Sequence, residues 1–314
     1  MKIPNITISQ EQKIPMSVKL MNIRHYNSHC HNTEVELLYC LSGQLDIIDA
    51  HMHMNVQENE IVLIDREDIH FAYSDENNMI LAVNIDLSAF PEYEQVKYFL
   101  FSCATKICKP HQFHAMNLII DTLLAAGYMK YSHESFSNDV KMHLCKEFYN
   151  MLINEFSWFA IENLTNEENR KYKDRLEGIM RYVQDNYNKK ITISQLAKMY
   201  YINENYLSQF LRRSSFGSFS KLLQYMRCYK AEHLLLLSDI SIQQISDICG
   251  FSSVKYFHRY FKELWGTTPF RHKKLHREFS DQPEEFYEYD KDIAFTEIRN
   301  HIALRRVNNI INEL

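Results

Sequence analysis

Four side chains early in the chain have the types and spacing that do chemistry. His29 and His31 are two positions apart, and on an extended strand that spacing aims both imidazoles at one face; Glu36 follows, and His70 comes later. Together with Tyr39, these groups offer the donors and acceptors that would hydrogen-bond a polyhydroxylated ligand. Cys30, between the two histidines, adds a thiol whose ionised form a charged imidazole would favour, which gives a redox-sensing reading of the same stretch. His51 and His53 alternate with Met52, Met54 and Val56, whose apolar face is the natural core face, so these two histidines are expected to point outward.

The elements that must position this set are short strands. MSVKLMNIRHY, EVELLYCLSG, QLDIID, HMHMNVQ, EIVLID and MILAVNID are rich in Val, Ile, Leu and Tyr and are separated by turn-prone pieces such as Ser42-Gly43 and Glu58-Asn59. Short strands at spacings near ten residues predict a small all-β barrel or sandwich over roughly the first 90 residues. From about Pro91 the apolar period becomes helical, as in Leu144, Phe148, Leu152 and Phe156; such helices pack on the barrel or on a second subunit. The polar stretch Glu162 to Glu168 reads as a linker.

Beyond it the charge balance inverts. The whole chain of 314 residues has a net charge of -5, yet residues 170–275 hold 19 Lys and Arg against 8 Asp and Glu, while the remainder holds 16 against 32. A basic half of this kind attracts phosphate. Composition otherwise suits a globular protein of two ordinary domains. No apolar run approaches the roughly 18 residues that span a bilayer, and the N-terminus has no apolar leader core. The 7 cysteines form no C-x-x-C pair, which predicts reduced thiols and a cytoplasmic location.

Within the basic half, Ile191 to Arg271 reads as one device written twice. Each copy has a short helix after a Thr or Ser cap (Thr192 or Ser194, then Ser241), a tight turn, and a second helix with one apolar face. That face is Tyr206, Leu207, Phe210 and Leu211 in the first copy and Tyr256, Phe257, Tyr260 and Phe261 in the second. Gly250 reverses the chain in the second copy; Tyr201-Ile202-Asn203 does so without glycine in the first. This is the helix-turn-helix plan. FSKLLQYMRCYKAEHLLLLSD between the copies reads as one helix about 30 Å long, close to the roughly 34 Å turn of B-DNA.

The elements ITISQLA, NYLSQFLRR, the connecting helix ending in AEHLL, IQQISDICGFSSVKYFHRYFK and WGTTPFR together resemble the AraC family of bacterial transcription regulators over about residues 172–275. The early residues are similar to the first cupin motif, His-x-His, four residues, Glu36, six residues, Gly43, with His70 at the histidine of the second motif. In cupin enzymes those four side chains hold a divalent metal, and such ligands suit Fe, Mn, Ni or Zn. This chain departs from the pattern before His70, reading Asp65-Arg66-Glu67-Asp68, and has Ser74 downstream, so the set is read as an effector pocket with no metal and no cofactor. A metal-dependent cupin enzyme fused to a DNA-binding domain is the alternative.

The fold class expected is therefore α+β multidomain: a cupin-like β-barrel with trailing helices over 1–165, an all-α domain with two helix-turn-helix motifs over 170–275, and a partly helical extension over 276–314. The family resemblance implies a non-enzymatic regulator with promoter DNA, a small-molecule effector such as a sugar or related metabolite, a second copy of the chain and RNA polymerase as partners, and no membrane. The expected effector residues are His29, His31, Glu36, Tyr39 and His70. On the first recognition helix Asn205, Ser208, Gln209, Arg212 and Arg213 are left outside the apolar face, and on the second Lys255, His258, Arg259 and Lys262. Asn and Gln suit adenine, Lys and Arg suit guanine, and Arg212, Arg213 and Lys262 near the helix ends suit phosphate. The tail carries an imperfect apolar stripe, Phe295, Ile298, Ile302, Val307, Ile310 and Leu314, that would pack on a domain, join a dimer, bind a partner or stay solvated.

Overall fold

A computed structural model describes residues 14–49, 52–91, 93, 101–156, 166–213 and 216–312. Its first half is one antiparallel sheet, β1 (Met16–His29), β2 (Glu34–Ser42), β3 (Gln44–Asp49), β4 (Met52–Gln57), β5 (Ile61–Ile64), β6 (His70–Tyr73) and β7 (Met79–Asp86), in the order β4-β3-β6-β1-β7-β2-β5. The sheet curls into a nearly closed barrel. β6 carries only HFAY and gives too short a period-2 signal to be expected from sequence.

The sheet is buried on both faces around β2 and β5. The odd positions of β2, Val35, Leu37, Tyr39 and Leu41, join a core with the helices, while Leu38 and Cys40 join the barrel interior with Leu45, Ile47, Val56 and Ala82. One face is covered by α1 (Phe113–Tyr131) and α2 (Asn138–Met151), which bury Ile119, Leu123 and Phe148 against it. Each such fully buried aliphatic or aromatic side chain stabilises by about 1.5–3 kcal/mol.

The helical half contains α3 (Asn166–Asn186), α4 (Ile193–Met199), α5 (Glu204–Arg212), α6 (Phe219–Leu237), α7 (Ile242–Ile248), α8 (Val254–Trp265) and α9 (Pro269–Ser280). The expected linker lies mostly outside the described residues. Cap chemistry sets the helix starts: Thr192 with Gln195 and Ser241 with Gln244 form reciprocal capping boxes, and Asn203, Ser253 and Thr268 each accept a backbone N–H of the first turn. Of the two expected caps of α4, Thr192 marks the start and Ser194 lies inside the helix.

The extension after α9 belongs to the barrel rather than to solvent. β8 (Glu285–Glu288) pairs with β1, and α10 (Lys291–Asn312) lies along α1 with Ala294 and Ile298 fully buried. Gly127 permits this approach, because a Cβ there would sit 2.9 Å from Ile298 Cδ1. Arg305 Nε donates to Asp121 Oδ1 at 2.9 Å, and the Tyr289 hydroxyl donates to the Asn78 carbonyl at 2.8 Å. Phe295 and Ile302 are partly buried against the same core, so this part of the expected stripe is a packing face.

Candidate effector pocket and nucleic-acid interface

Strand register assembles the histidine set. His29 at the end of β1 pairs directly with His70 at the start of β6, and Glu36 on β2 pairs with Asn84 on β7. One donor atom from each of His29, His31, Glu36 and His70 lies within 4.8 Å of the others. Glu36 Oε2 is 3.1 Å from His70 Nε2 and 3.8 Å from His31 Nε2. Asn84 Nδ2 donates to Glu36 Oε1 at 3.4 Å, a member of the set that sequence reading missed.

Backbone carbonyls orient two of the rings. His29 Nδ1 donates to the Asn27 carbonyl at 2.8 Å and His70 Nδ1 to the Asp68 carbonyl at 3.0 Å, which turns both Nε2 atoms towards the pocket. His29 Nε2 is buried without a hydrogen-bond partner among the described residues. Burial alone would push Glu36 up, but hydrogen bonds from His31 and His70 outweigh it and hold the carboxyl well below the usual range. His70 is pushed up in turn: burial opposes its charge, and the bond to Glu36 overcomes that cost. His29 falls to about 4, first through burial and then through the neighbouring His70. The pocket thus centres on an imidazolium–carboxylate pair flanked by a neutral, open imidazole.

Three imidazoles and a carboxylate, two of the rings tied to carbonyls, also fit a divalent cation of the Zn, Fe, Mn or Ni class. The sequence reading assigned no metal here, and the residues present are compatible with one. Tyr39 does not join the set. It is three positions from Glu36 and therefore on the opposite face of β2, where its hydroxyl donates to Asn59 Oδ1 at 3.2 Å. Cys30 is half-buried, and burial with the carboxylates of Glu67 and Asp68 pushes its thiol up, against the redox reading. His53 is exposed and paired with Asp46 at 2.8 Å, as its alternation suggested; His51 lies outside the described residues. Asp49, opposite His70 on β3, is buried and raised to about 7, chiefly by burial.

The second candidate surface lies on α5 and α8. Leu207, Phe210 and Leu211 bury one face of α5, and Asn205, Gln209, Arg212 and Arg213 are exposed with Ser208 half-buried. On α8, Phe257, Phe261 and Trp265 are buried, Lys255, Arg259 and Lys262 are exposed, and His258 is half-buried. Two expected inward residues turn outward: Tyr206 and Tyr256 are 46% and 44% exposed, each at the third position of its helix. Each meets an arginine. Arg175 of α3 donates to the Tyr206 hydroxyl at 2.7 Å, while Arg259 lies over the rings of Tyr256 and Tyr260 at 4.9 and 4.5 Å. α6, at 19 residues, is about 28 Å long and joins the two units.

The two surfaces are mechanically connected. Lys230 of α6 pairs with Glu67 of the barrel at 2.8 Å, and the Tyr229 hydroxyl donates to the Arg66 carbonyl at 3.2 Å. Phe279 of α9 stacks on His25 and Phe71, with ring centroids 4.1 and 3.9 Å apart.

Residues 196–275 match the family model described as a helix-turn-helix domain. Over 108 residues the chain is 27% identical to the uncharacterized HTH-type transcriptional regulator YijO of Escherichia coli, covering 34% of this chain and 38% of that one. A longer alignment, 263 residues at 23% identity and 81% of each chain, runs to the uncharacterized HTH-type transcriptional regulator YfiF of Bacillus subtilis. ToxT from Vibrio cholerae O395 superposes over 86% of this chain and 100% of its own with a TM-score of 0.43 and 15% identity. The chain spans between 32% and 38% of the length of the first two curated relatives it matches. Among the described residues no helix is long and apolar enough to cross a membrane.

Proposed function

We infer that this chain, a transcription regulator of the AraC family, binds promoter DNA through α5 and α8 and adjusts that binding to a small molecule held at the barrel mouth. The observation that carries the reading is the pairing of two helix-turn-helix units on one 19-residue helix, each presenting exposed cations on its second helix. A rigid spacer of about 28 Å suits two successive major grooves, which recur at roughly 34 Å. Asn205, Ser208 and Gln209 would read bases from the first unit; Lys255, His258 and Arg259 would read them from the second, with a lean towards guanine. Arg212, Arg213 and Lys262 would hold phosphate.

In this reading residues 1–165, completed by the extension 276–314, form the effector-binding and dimerisation part, and residues 170–275 bind DNA. The protein works in the cytoplasm as a homodimer that influences RNA polymerase, without catalysing a reaction. The effector pocket uses His29, His31, Glu36 and His70, with Asn84 added and Tyr39 removed. A charged pair beside an open imidazole favours a hydroxylated metabolite, the sugar class included. The unpartnered His29 Nε2 favours a second reading of this same pocket, in which a divalent cation contributes to effector recognition.

The test is a binding titration of the full chain against its own upstream DNA at several salt concentrations. Paired half-sites about one turn apart should bind with a steep salt dependence, and inserting about five base pairs between them should abolish the specific component. Equal affinity for scrambled DNA would sink the reading. For the effector, a thermal-shift screen of sugars and related metabolites should raise the melting temperature of the full chain and lose that response in Glu36→Gln.

A further inference from the structure

A second group of buried titratable side chains lies away from the barrel mouth. Glu232 projects from α6, and His272 and His276 project from α9, one turn apart on the same helix face. They are 1%, 4% and 3% exposed, and one donor atom from each lies within 4.8 Å of the others. The fold does not require polar groups here. The surrounding core of Cys228, Leu235, Phe257 and Phe261 is apolar, with the Trp265 side chain hydrogen-bonding Glu232, and a buried carboxyl in such a place is costly unless it is partnered.

The orientation of the rings is specific. His272 Nε2 is 2.6 Å from Glu232 Oε1. The Ser28 hydroxyl of β1 occupies His276 Nδ1 at 3.0 Å, so Nε2 is the open ligand atom of that ring, and it is buried with no hydrogen-bond partner among the described residues. Two imidazoles at i and i+4 on a helix, one of them oriented by an outer hydroxyl, plus a carboxylate from a facing helix, are the components of a zinc-type site with a position left for water. A cavity of about 330 Å³ bordered by Ser28, His29, Lys273 and His276 gives an ion a way in.

We propose that Glu232, His272 and His276 form a second divalent transition-metal site, of the Zn2+ class, that fastens α9 to the connecting helix α6. Donors around a tetrahedral zinc stand about 3.4 Å apart at bond lengths near 2.1 Å, so the 2.6 Å contact opens while the wider separations close. The cation takes the place of the proton shared by Glu232 and His272, and that proton leaves to solvent. Because Ser28 and His29 are adjacent on β1, the site fixes the second helix-turn-helix unit to the same strand end that lines the effector pocket.

The proposal is tested on the full chain, stripped with chelator, in a His31→Gln, Glu36→Gln background that removes two ligands of the barrel-mouth set. One equivalent of Zn2+ should still bind, raise the melting temperature and release protons into weakly buffered solution. Adding His276→Gln should remove that equivalent, whereas His53→Gln at the exposed control position should not. Zinc uptake unchanged by His276→Gln, or no uptake in the parent background, overturns the site. Should His276→Gln fail to fold by circular dichroism, Glu232→Gln takes its place. Should both fail, the Co2+ spectrum of the parent background decides: intense tetrahedral d–d bands support the site, and their absence overturns it.

Discussion

In the first helix-turn-helix unit the chain reverses at Tyr201, at φ +53° and 97% exposed; in the second it reverses at Gly250, at φ +74°, packed on the backbone of Asn188. The aromatic at the third position of the recognition helix meets a cation in both units, but Arg175 comes from the neighbouring α3, whereas Arg259 comes from α8 itself. The cores differ as well. Leu196, Leu207, Phe210 and Leu211 belong to one continuous apolar cluster that reaches back to α1 and the barrel, while Phe257, Phe261 and Trp265 form a separate cluster with the second half of α6. The first unit is thus built into the core shared with the barrel, and the second is held by its own core and by α9. A signal at the barrel should reach the two units by different routes: through apolar packing to the first, and through the polar contacts of α6 and α9 to the second.

The sharpest test of this difference is at the turns. Gly250→Ala places a Cβ against the Asn188 carbonyl in a left-handed backbone, and neither can move without shifting the second core. A loss of about 3 kcal/mol in denaturant unfolding is expected, with reduced specific DNA binding. Tyr201→Ala should change stability by less than about 1 kcal/mol, because the residue it replaces is already in the strained region and touches little. Equal losses at both positions would break the comparison.

Next in size is the DNA contact. Arg259→Ala should weaken specific promoter binding by about 2 kcal/mol if it reads a guanine, measured at fixed salt. Arg175→Ala removes a cation that supports Tyr206 from behind, so it should cost no more than about 1 kcal/mol. The reverse order would make Arg175, rather than Arg259, the larger contributor to promoter binding. Smaller still are the caps. Asn203 and Ser253 each accept the N–H of the third helical residue, so Asn203→Ala and Ser253→Ala should each lose about 1 kcal/mol of thermal stability. Here the units should agree, and a gap of several kcal/mol would mean that one helix depends on its cap far more than its packing implies.

How much of this was legible in the sequence depends on the range of the signal. Local patterns were sufficient for the cap at Ser241, for narrowing the first cap to Thr192 or Ser194, and for the buried Leu207, Phe257 and Phe261, because each rests on residues within a turn or two of one another. The strand holding His70 is four residues long and offers no period; it was the resemblance to the cupin motifs that grouped His70 with His29, and the strand register pairs the two. Tyr39 was misjudged by one step of alternation: an odd offset from Glu36 puts it on the helix-covered face. Aromatics weigh heavily in an apolar stripe, which draws Tyr206 and Tyr256 into the expected core, although their helices are already filled by Leu207, Phe210, Phe257 and Phe261. The return of the extension to β1 and α1 pairs residues more than 150 positions apart, as in Tyr131 with Glu288, and no local pattern carries that. For Glu232 with His272 and His276 a partial signal existed, the i, i+4 histidine pair, but its carboxylate partner is 40 positions away on a helix that reads as an apolar stripe.

The smallest expected effect is the most diagnostic of why the two turns differ. Tyr201 is in a backbone region that disfavours side chains by about 1 kcal/mol, and its ring is almost wholly in solvent, so neither packing nor a hydrogen bond explains its presence. Tyr201→Gly removes the local strain but enlarges the conformational freedom of the unfolded chain, and these terms oppose each other. A net gain of no more than about 0.5 kcal/mol in thermal or denaturant unfolding is expected. If Tyr201→Gly instead loses several kcal/mol, the ring contacts something in the folded state of the working protein, and the turn of the first unit is a surface for DNA or a second copy rather than a bare reversal. Measuring the same variant for promoter affinity at fixed salt and for self-association separates the two, since a lost nucleic-acid contact lowers the first and a lost protein contact lowers the second.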